Sequence, residues 1–440
     1  MSTALSIFWY RRDLRLQDNH GLYAALSAGR PVLPVFIFDP MILSRLEAGD
    51  QRVPFIYAAL EALRAQLEPE GIPLEVCHAE PLAALAGLIA RYPVAAVYAN
   101  GDYEPYAKER DAAVASFLQQ QGIAFHSFKD QVLFEKGEVV KDDGKPYLVY
   151  TPFYKKWRQR LLNEGIPAFP SESMLPYFYK GKGQGWPTLA EMGFSGNATA
   201  LHVPVPSPGL LRAYHESRDL PAVAGTTRLG VHLRFGTVSV RQLAAQALLH
   251  SETFLKELCW REFFMQLLWH YPKTGNAFKP EYDAIAWRDD LEGFARWCAG
   301  TTGYPLVDAG MRELAATGFM HNRVRMVAAS FLCKHLLIDW RWGEAWFAEK
   351  LMDFDLAANN GNWQWVAGCG CDAAPYFRVF NPELQAKRFD PHNEYIRRWV
   401  PEWGSADYPL PVVEHKSAVA RCIKAYKKAL GRDPQQELFP

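Results

Sequence analysis

The sequence of 440 residues lacks an excess of charge of either sign, a paired cysteine motif and a long apolar run. Each of these absences argues against one class of protein. Lys and Arg together number 48, as do Asp and Glu, so a nucleic-acid site would have to be a local basic patch. The seven cysteines include no CxxC, and the CxC of Cys369 and Cys371 has no second ligand pair, which predicts packing thiols, a reducing compartment and no metal. Without a bilayer-spanning run or a signal-peptide core, the chain is expected to be soluble, cytoplasmic and free of membrane partners.

The first 128 residues alternate between short apolar runs and helical patterns. The apolar runs cover residues 4–10, 31–38, 73–78, 95–100 and 124–128. The helical patterns lie around residues 20–29, 52–69, 81–91 and 104–121. This alternation predicts a doubly wound, Rossmann-like parallel sheet in an N-terminal domain. Neither GxGxxG nor GxxxxGK[ST] follows the first run, so a dinucleotide or P-loop site there is unsupported.

Two polar residues mark the end of the fourth run, where a parallel sheet places its ligands. Asn100 ends the run and Glu104 begins the next helical pattern. They could bind a ligand, or they could serve as a loop turn and as a carboxylate favoured by the helix dipole. Both interpretations stay open on sequence alone.

The composition changes after residue 128. Residues 129–200 are rich in Gly, Pro, Lys and Tyr, which predicts a long interdomain connection over the surface. Residues 201–440 are helical in pattern. The sequence therefore predicts an α/β domain at 1–128, a linker at 129–200 and an all-α domain at 201–440.

The densest polar cluster is DFDLAANNGNWQW, residues 353–365, with two carboxylates, four amides and two indoles. If a helix starts at Leu356, Asn359 and Trp363 share a face, whereas Trp365 diverges from Trp363 by about 200°. Upstream, Asn322, Arg325, Met326 and Ala329 follow helical spacing on an otherwise apolar segment. Such polar groups need buried partners, and an ordinary core ion pair between Arg325 and Asp353 would explain part of the pattern.

Two further segments carry polar groups suited to ligands. Thr226, Thr227 and Arg228 precede a helical pattern, where hydroxyls and amide donors suit a phosphate or simply cap a helix. Glu257, Trp260, Arg261 and Phe264 share one helical face. That face is either a pocket wall for a planar ligand or a core helix with a local Glu257–Arg261 pair.

Three motifs, HNRxRM, DxDLAANNGxWQW and DAAPYFRxFNP, resemble the flavin-binding half of the photolyase/cryptochrome family, specifically class I cyclobutane pyrimidine dimer photolyases. The resemblance runs from WYRRDLRLQDN at 9–19 to YPLPVVEHK at 408–416. It implies a Rossmann-like antenna domain and a helical FAD-binding domain. The implied activity is that of a deoxyribodipyrimidine photo-lyase, in which excited FADH⁻ passes an electron to a flipped-out dimer in DNA.

The resemblance assigns a set of FAD contacts. Asn359 matches the residue facing flavin N5, where an amide without an ionisable proton favours the anionic reduced flavin. The family's TSRLS motif reads TTRLG here, so Thr227 keeps one hydroxyl and Gly230 loses another. The implied FAD-binding residues are Tyr214, Thr226, Thr227, Arg228, Leu229, Glu257, Arg261, Asn322, Arg325, Asp353, Asp355 and Asn359.

The resemblance also assigns lesion, electron-transfer and DNA contacts. Glu257 would hydrogen-bond the dimer, and Trp260 and Trp365 would hold it by stacking. The implied catalytic positions are Glu257, Trp260, Met326, Asn359 and Trp365. The implied electron-transfer tryptophans are Trp287, Trp340 and Trp363. The implied DNA contacts are Arg218, Trp260, Arg323, Trp365 and Arg378, with Lys387 and Arg388 as weaker candidates.

The resemblance leaves open the identity of the antenna chromophore and the branch of the family to which the chain belongs. Asn100 and Glu104 match positions that often hold an antenna, which could be methenyltetrahydrofolate, a deazaflavin, FMN or absent. A (6-4) photolyase uses two histidines, but Asn322 and Met326 stand at the matching positions and neither is a general acid. A cryptochrome photoreceptor is the main alternative, although the chain stops at Pro440 without a long extension. We expect a monomer whose partner is DNA containing pyrimidine dimers.

Overall fold

A computed structural model describes residues 4–196 and 200–431, which form two compact units. The first unit comprises Met1–Pro146, Tyr154–Pro206 and Arg228–Glu262, and the second comprises Tyr147–Phe153, Ser207–Thr227 and Phe263–Pro440. These units do not follow the predicted limits at residues 128 and 200, because the chain passes between them several times. The domain limits stay a prediction.

Strands and helices alternate in the first part of the chain, and helices make up the rest of its regular structure. The strands are β1 Leu5–Tyr10, β2 Val32–Phe38, β3 Glu75–His78, β4 Val94–Asn100 and β5 Ala124–Phe128. The α-helices are α1 His20–Ser27, α2 Pro40–Leu43, α3 Arg52–Leu67, α4 Pro81–Arg91, α5 Pro105–Gln120, α6 Tyr150–Glu164, α7 Pro208–Ser217, α8 Gly230–Phe235, α9 Val240–His250, α10 Glu252–His270, α11 Leu291–Ala299, α12 Pro305–Thr317, α13 Asn322–Ser330, α14 Trp340–Lys350, α15 Leu356–Ala367, α16 Pro382–Phe389, α17 Glu394–Trp399 and α18 His415–Ala429. Short 3₁₀ helices cover Glu68–Glu70, Ser171–Tyr177 and Pro280–Ala284, and a π-helix covers Phe331–Leu336.

The first unit is built on a five-stranded parallel sheet in the order β3-β2-β1-β4-β5. Side chains of β1 alternate between the two faces, so Phe8 and Tyr10 join one core cluster while Ile7 and Trp9 join the other. A parallel sheet covered on both faces is the doubly wound arrangement that the alternating apolar runs predicted. This part of the predicted fold is confirmed.

Residues 129–200 are more ordered than a surface connection. They contain α6, where Phe153, Trp157 and Leu161 recur every four residues and are all buried. The predicted surface connection therefore includes, at residues 150–164, a helix with a buried apolar face, and the limits of the connection stay a prediction. The glycines, prolines and lysines on either side obscured an apolar helix face.

The second unit is helical and has its own apolar core. Trp297, Trp340 and Trp363 are buried in a single cluster to which α12, α13 and the π-helix also contribute. All seven cysteines are free thiols. Among the described residues, no group of three or more ligating side chains could hold a metal, and no helix is long and apolar enough to cross a membrane.

Candidate active site

The ends of α15 are fixed by local chemistry. Asp355 caps its start, accepting hydrogen bonds from the amides of Ala357 at 3.1 Å and Ala358 at 3.2 Å. Gly368 ends it with a left-handed φ of 89°, which favours glycine. The helix buries Asn359 and Trp363, which were predicted to share a face, and leaves the divergent Trp365 half-buried.

The orientation of the Asn359 amide follows from its hydrogen bond. Its Nδ2 donates to the carbonyl of Glu344 at 3.0 Å. Since a carbonyl can only accept, this bond decides which end of the amide is nitrogen. The side-chain oxygen has no hydrogen-bond partner among the described residues, so Asn359 presents a hydrogen-bond acceptor to a ligand.

Arg325 and Asp353 form the predicted ion pair, at 2.9 Å. Arg325 also donates from Nε to the carbonyl of Met320 at 2.7 Å, which fixes the plane of the guanidinium. The second carboxylate oxygen of Asp353, Oδ1, is buried and has no partner in the part of the chain that the structure describes. Because buried acceptors are nearly always satisfied, this oxygen marks a place where a ligand donor fits.

Helix α13 places three predicted residues in different settings. Asn322, the first residue of the helix, is exposed, and Met326 is half-buried. Arg323 is held by Asp219 at 2.9 Å and lies over the ring of Phe389 at 4.3 Å. Its Nη1 also points at the Met326 sulfur, at 3.6 Å.

Asp219 was not predicted from the sequence. It lies 104 residues from Arg323 along the chain, so spacing gives no signal for the pair. It directly follows Arg218, the half-buried residue that caps the end of α7. Asp219 therefore sets the charge beside one of the predicted phosphate contacts.

The three predicted electron-transfer tryptophans lie in or against one core cluster. Trp340 and Trp363 are buried within it, and the half-buried Trp287 packs against it, edge-on to Tyr426 at 5.9 Å. None of these three described indoles is in ring contact with another.

Trp363 instead contacts the rings of Phe347 at 5.0 Å and of Trp297 at 6.2 Å. Trp297 was not predicted to belong to the site. It is fully buried, and its Nε1 donates to the carbonyl of Ala328 at 3.0 Å. Its only signal in the sequence is its aromatic character.

Exposed cationic and aromatic groups follow α15. The guanidinium of Arg378 lies 6.0 Å from the Trp365 ring centroid and 5.5 Å from that of Phe380. Phe377 is 60% exposed. Lys387 and Arg388 are exposed in the last turn of α16. This combination suits nucleic acid, because guanidinium groups bind phosphates and aromatic rings stack on bases.

The predicted residues of α10 lie in the first unit. Glu257, Trp260 and Arg261 are all half-buried. Arg261 donates to the carbonyls of Gln131 at 2.5 Å and Leu233 at 3.2 Å, so part of its donor capacity serves the fold.

The segment around TTRLG does not form a simple helix cap. Helix α8 begins at Gly230, and its N-cap, the buried Leu229, makes no side-chain hydrogen bond. Arg228 is exposed and has a positive φ of 50°, which is uncommon for a residue other than glycine. Thr226 and Thr227 are half-buried, and Tyr214 is buried on α7.

The two antenna candidates are both engaged within the protein. Asn100 is buried and donates to Asp13 at 2.5 Å and to Asn19 at 2.8 Å, while its oxygen accepts from the amide of Gly21 at 2.9 Å. Glu104 accepts from Arg12 at 3.1 Å and from Arg234 at 2.6 Å. Asn100 thus has a structural role at the carboxyl end of β4, and an antenna role for either residue stays a prediction.

Comparison with known protein families supports the resemblance to photolyases that the sequence motifs indicated. The family model described as the FAD binding domain of DNA photolyase matches residues 254–407, and the DNA photolyase model matches residues 6–172. A deoxyribodipyrimidine photo-lyase of Halobacterium salinarum is 38% identical over 97% of this chain and 100% of its own length. One of Agrobacterium fabrum is 37% identical over 97% and 98%, respectively.

Solved structures share the fold. A bacterial class III photolyase from Agrobacterium tumefaciens gives a TM-score of 0.85 at 35% identity and 98% coverage of both chains. An archaeal photolyase from Sulfolobus tokodaii with two FAD molecules gives 0.81 at 33% identity, covering 96% of this chain and 99% of its own. A Synechocystis cryptochrome gives 0.83 at 26% identity, covering 97% and 100%.

A parallel α/β unit combined with a helical FAD-binding region defines the class of photolyases and cryptochromes. This chain belongs to the DNA photolyase family. The predicted fold class is confirmed, whereas the finer assignment to class I stays a prediction.

Proposed function

We propose that this chain repairs cyclobutane pyrimidine dimers in DNA in a light-dependent reaction, as an FAD-dependent deoxyribodipyrimidine photo-lyase. The observation that carries the proposal is the α15 cluster, in which Asn359 presents an acceptor and Asp353 has an unpartnered oxygen beside Arg325. Enzymes of that name match nearly the whole chain at more than a third identity. The chain is therefore an enzyme of this type.

The residues present fit FAD. The unpartnered Asp353 oxygen suits a ligand donor, and the Asn359 acceptor suits a partner that donates, as the N5–H of a reduced flavin does. When bound and reduced, FAD supplies the light-driven one-electron chemistry that opens the cyclobutane ring. The residues that would hold it are Tyr214, Thr226, Thr227, Arg228, Leu229, Glu257, Arg261, Asn322, Arg325, Asp353, Asp355 and Asn359.

The protein's own side chains would bind and orient the dimer and the DNA strand and exclude water from the site. Glu257 would accept hydrogen bonds from the dimer, and the indoles of Trp260 and Trp365 would stack on it, which is worth roughly 1–3 kcal/mol per base. Met326 would add an apolar, polarisable surface where a (6-4) photolyase needs a general acid. Arg218, Arg323 and Arg378 would bind phosphates and so position the strand without reading its sequence.

The decisive experiment is anaerobic illumination of the reduced, FAD-loaded protein with an oligonucleotide containing a thymine dimer. We expect the thymine absorbance to return in light and not in a dark control. If DNA binds but absorbance does not return, the next substrate is the (6-4) lesion, and failure with both would favour a cryptochrome-type photoreceptor, whose fold the chain shares.

Two variants separate lesion binding from flavin binding. Glu257→Ala and Trp260→Ala should each lower the repair rate about tenfold or more, since each removes a group assigned to the dimer. Both should retain FAD, as judged by the flavin spectrum. Loss of FAD in the Trp260 variant would place that residue in the cofactor site. Loss of FAD in the Glu257 variant would show that the FAD contact assigned to Glu257 is essential for cofactor binding.

We further infer that the enzyme acts as a cytoplasmic monomer. Its seven free cysteines fit a reducing compartment, and a monomer is enough to hold one FAD and one lesion. Light scattering on the FAD-loaded protein should give the mass of one chain. A dimer that dissociates only together with loss of FAD would contradict this.

A further inference from the structure

Lys334 is a fully buried cation in the π-helix Phe331–Leu336. In the part of the chain that the structure describes, no carboxylate pairs with it. Burial lowers the pKa of the lysine, and the thiols of Cys422, Cys333 and Cys369 oppose this effect. Burying an ammonium group without a counter-ion is costly, so its hydrogen bonds should matter to the fold or to the reaction.

The ammonium group joins two carbonyls that flank a loop. Nζ donates to the carbonyl of Ala367 at 2.8 Å and to that of Tyr376 at 3.3 Å, and it lies 3.9 Å from the centroid of the Tyr426 ring. Ala367 is the last residue of α15, and Tyr376 lies in the DAAPYFR motif. Lys334 therefore closes residues 368–375 into a loop, which we call the hook.

The hook connects the helix carrying Trp365 to Arg378. Within it, the amide of Ala374 donates back to the carbonyl of Trp365 at 3.3 Å. Just beyond it, the Arg378 guanidinium lies 6.0 Å from the Trp365 ring centroid and 5.5 Å from that of its neighbour Phe380. Among the described residues, no ion pair or hydrogen bond holds this guanidinium. The position of Arg378 relative to Trp365 therefore depends on the hook.

We propose that Lys334 is a positioning residue for damaged DNA: by closing the hook, it holds Arg378 at the distance from Trp365 that lets one group bind a phosphate while the other stacks on the lesion. The proposal rests on the proposed dimer-repair function. It explains why a buried cation lies behind the DNA-binding residues, where an apolar side chain would be cheaper to bury.

Tyr426 provides a matched control. Its hydroxyl donates to the same carbonyl of Ala367, at 2.8 Å, but makes no bond to Tyr376. Tyr426→Phe keeps the ring beside Lys334 and removes one bond at the end of α15. Lys334→Met removes the bond to Tyr376 and leaves Ala367 with its tyrosine partner.

The test measures the Kd for dimer-containing DNA, KM and kcat on FAD-loaded protein. Lys334→Met should raise Kd and KM about tenfold, as expected for a misplaced charge-assisted contact, with kcat and FAD content unchanged. Tyr426→Phe should lower stability and leave Kd unchanged. An unchanged Kd in Lys334→Met, or equal losses in both variants, would overturn the proposal.

Two further experiments test whether Lys334 acts through Arg378 and whether the hook itself is required. Arg378→Ala combined with Lys334→Met should weaken binding by less than the product of the two single effects, because Lys334 acts through Arg378; independent effects would contradict this.

If Lys334→Met does not fold, Gly368→Ala opens the hook instead, since its φ of 89° strains alanine, and it should raise Kd likewise. An unchanged Kd in a folded Gly368→Ala variant would overturn the proposal.

These readouts also distinguish the positioning role from the proposed function. Wild-type protein that binds dimer DNA without repairing it in light would refute the repair function, and the Kd series would still decide the role of Lys334. Wild-type protein that does not bind such DNA would overturn both.

Discussion

At the level of one residue, Asp219 sets the charge beside a predicted DNA contact. It neutralises Arg323, a predicted phosphate contact, through an ion pair at 2.9 Å. The carboxylate would also repel a phosphate bound by Arg323, because it lies 2.9 Å from that guanidinium. The pair should therefore keep Arg323 ordered and lower its affinity for DNA phosphates, whether or not the DNA is damaged.

Replacing this carboxylate should tighten DNA binding. Asp219→Asn keeps an oxygen that accepts from Arg323 but removes the negative charge, so Kd for both damaged and undamaged duplexes should fall about threefold at low salt. Fluorescence anisotropy at two salt concentrations measures the effect. Asp142→Asn is the control, because that carboxylate is fully exposed and lies in the first unit. Weaker binding in Asp219→Asn would show that the charge is needed to hold Arg323 in place.

Trp287 tests the electron-transfer assignment. It is the least buried of the three assigned tryptophans, so it suits the surface end of the path. Trp287→Phe should abolish most photoreduction of oxidised flavin, with Trp186→Phe as a control in the first unit. Repair by chemically pre-reduced enzyme should be unchanged. Normal photoreduction in Trp287→Phe would direct attention to Trp297, which contacts the ring of Trp363.

At the level of elements, the packing of α14 against α15 depends on one glycine. A Cβ on Gly343 would overlap the Trp363 ring and lie 2.6 Å from a methyl group of Leu332. The absence of a side chain lets the two helices approach closely enough for Trp363 to be buried. The position of Trp363 thus depends on a residue that carries no chemistry itself.

Gly343→Ala should destabilise the second unit by about 1–3 kcal/mol, the usual cost of overpacking a core. Gly87→Ala is the matched control, because Gly87 also lies within a helix and a Cβ there would meet nothing within 4 Å. That change should stabilise by about 0.5–1 kcal/mol, since alanine loses less entropy in a helix. Urea unfolding measures both. Equal stabilities for the two variants would mean that α14 moves away from α15 at no cost.

The type and position of a helix or strand were predictable where a single apolar pattern in the sequence determines them. The strands of the first unit begin and end close to the predicted residues, and α13 and α15 cover the residues for which helical spacing was predicted. Apolar runs and 3.6-residue periodicity both reflect burial directly. The π-helix of Lys334 was not predicted, because an extra residue in a helix is stabilised by tertiary contacts. The same limit applies to Asp219 with Arg323, and to the hook, which joins carbonyls to a lysine more than 30 residues away.

At the level of the whole molecule, buried titratable groups set the pH dependence of stability. Burial lowers the pKa of His232 and of His321 to about 4 and that of His335 to about 3. Burial raises the pKa of Glu262 to about 7, although Leu133, Phe134 and Trp157 donate to its carboxylate. The two kinds of group act in opposite directions.

The direction in which each group changes stability with pH depends on whether the folded or the unfolded chain binds its proton more tightly. Between about pH 4 and 6.5 the unfolded chain protonates histidines that the folded chain keeps neutral, so stability rises with pH. Glu262 keeps its proton in the folded chain between about pH 4.5 and 7, so its contribution is present below that window and is lost as pH rises through it. At pH 5.5 the three histidines and Glu262 together predict that unfolding takes up about two protons.

These four groups should therefore make the free energy of urea unfolding rise between pH 5 and 6, and their share of the slope is equivalent to about two protons. Glu262→Gln removes the opposing group, so its slope should be larger by about one proton, and its loss of stability relative to the wild type should be greatest at low pH. A parallel pair of curves would mean that Glu262 is already ionised in the folded protein. In that case Trp157 and the two amides would stabilise a buried carboxylate despite its desolvation, and the 129–146 segment that supplies those amides would be held by a charge and not by a neutral acid.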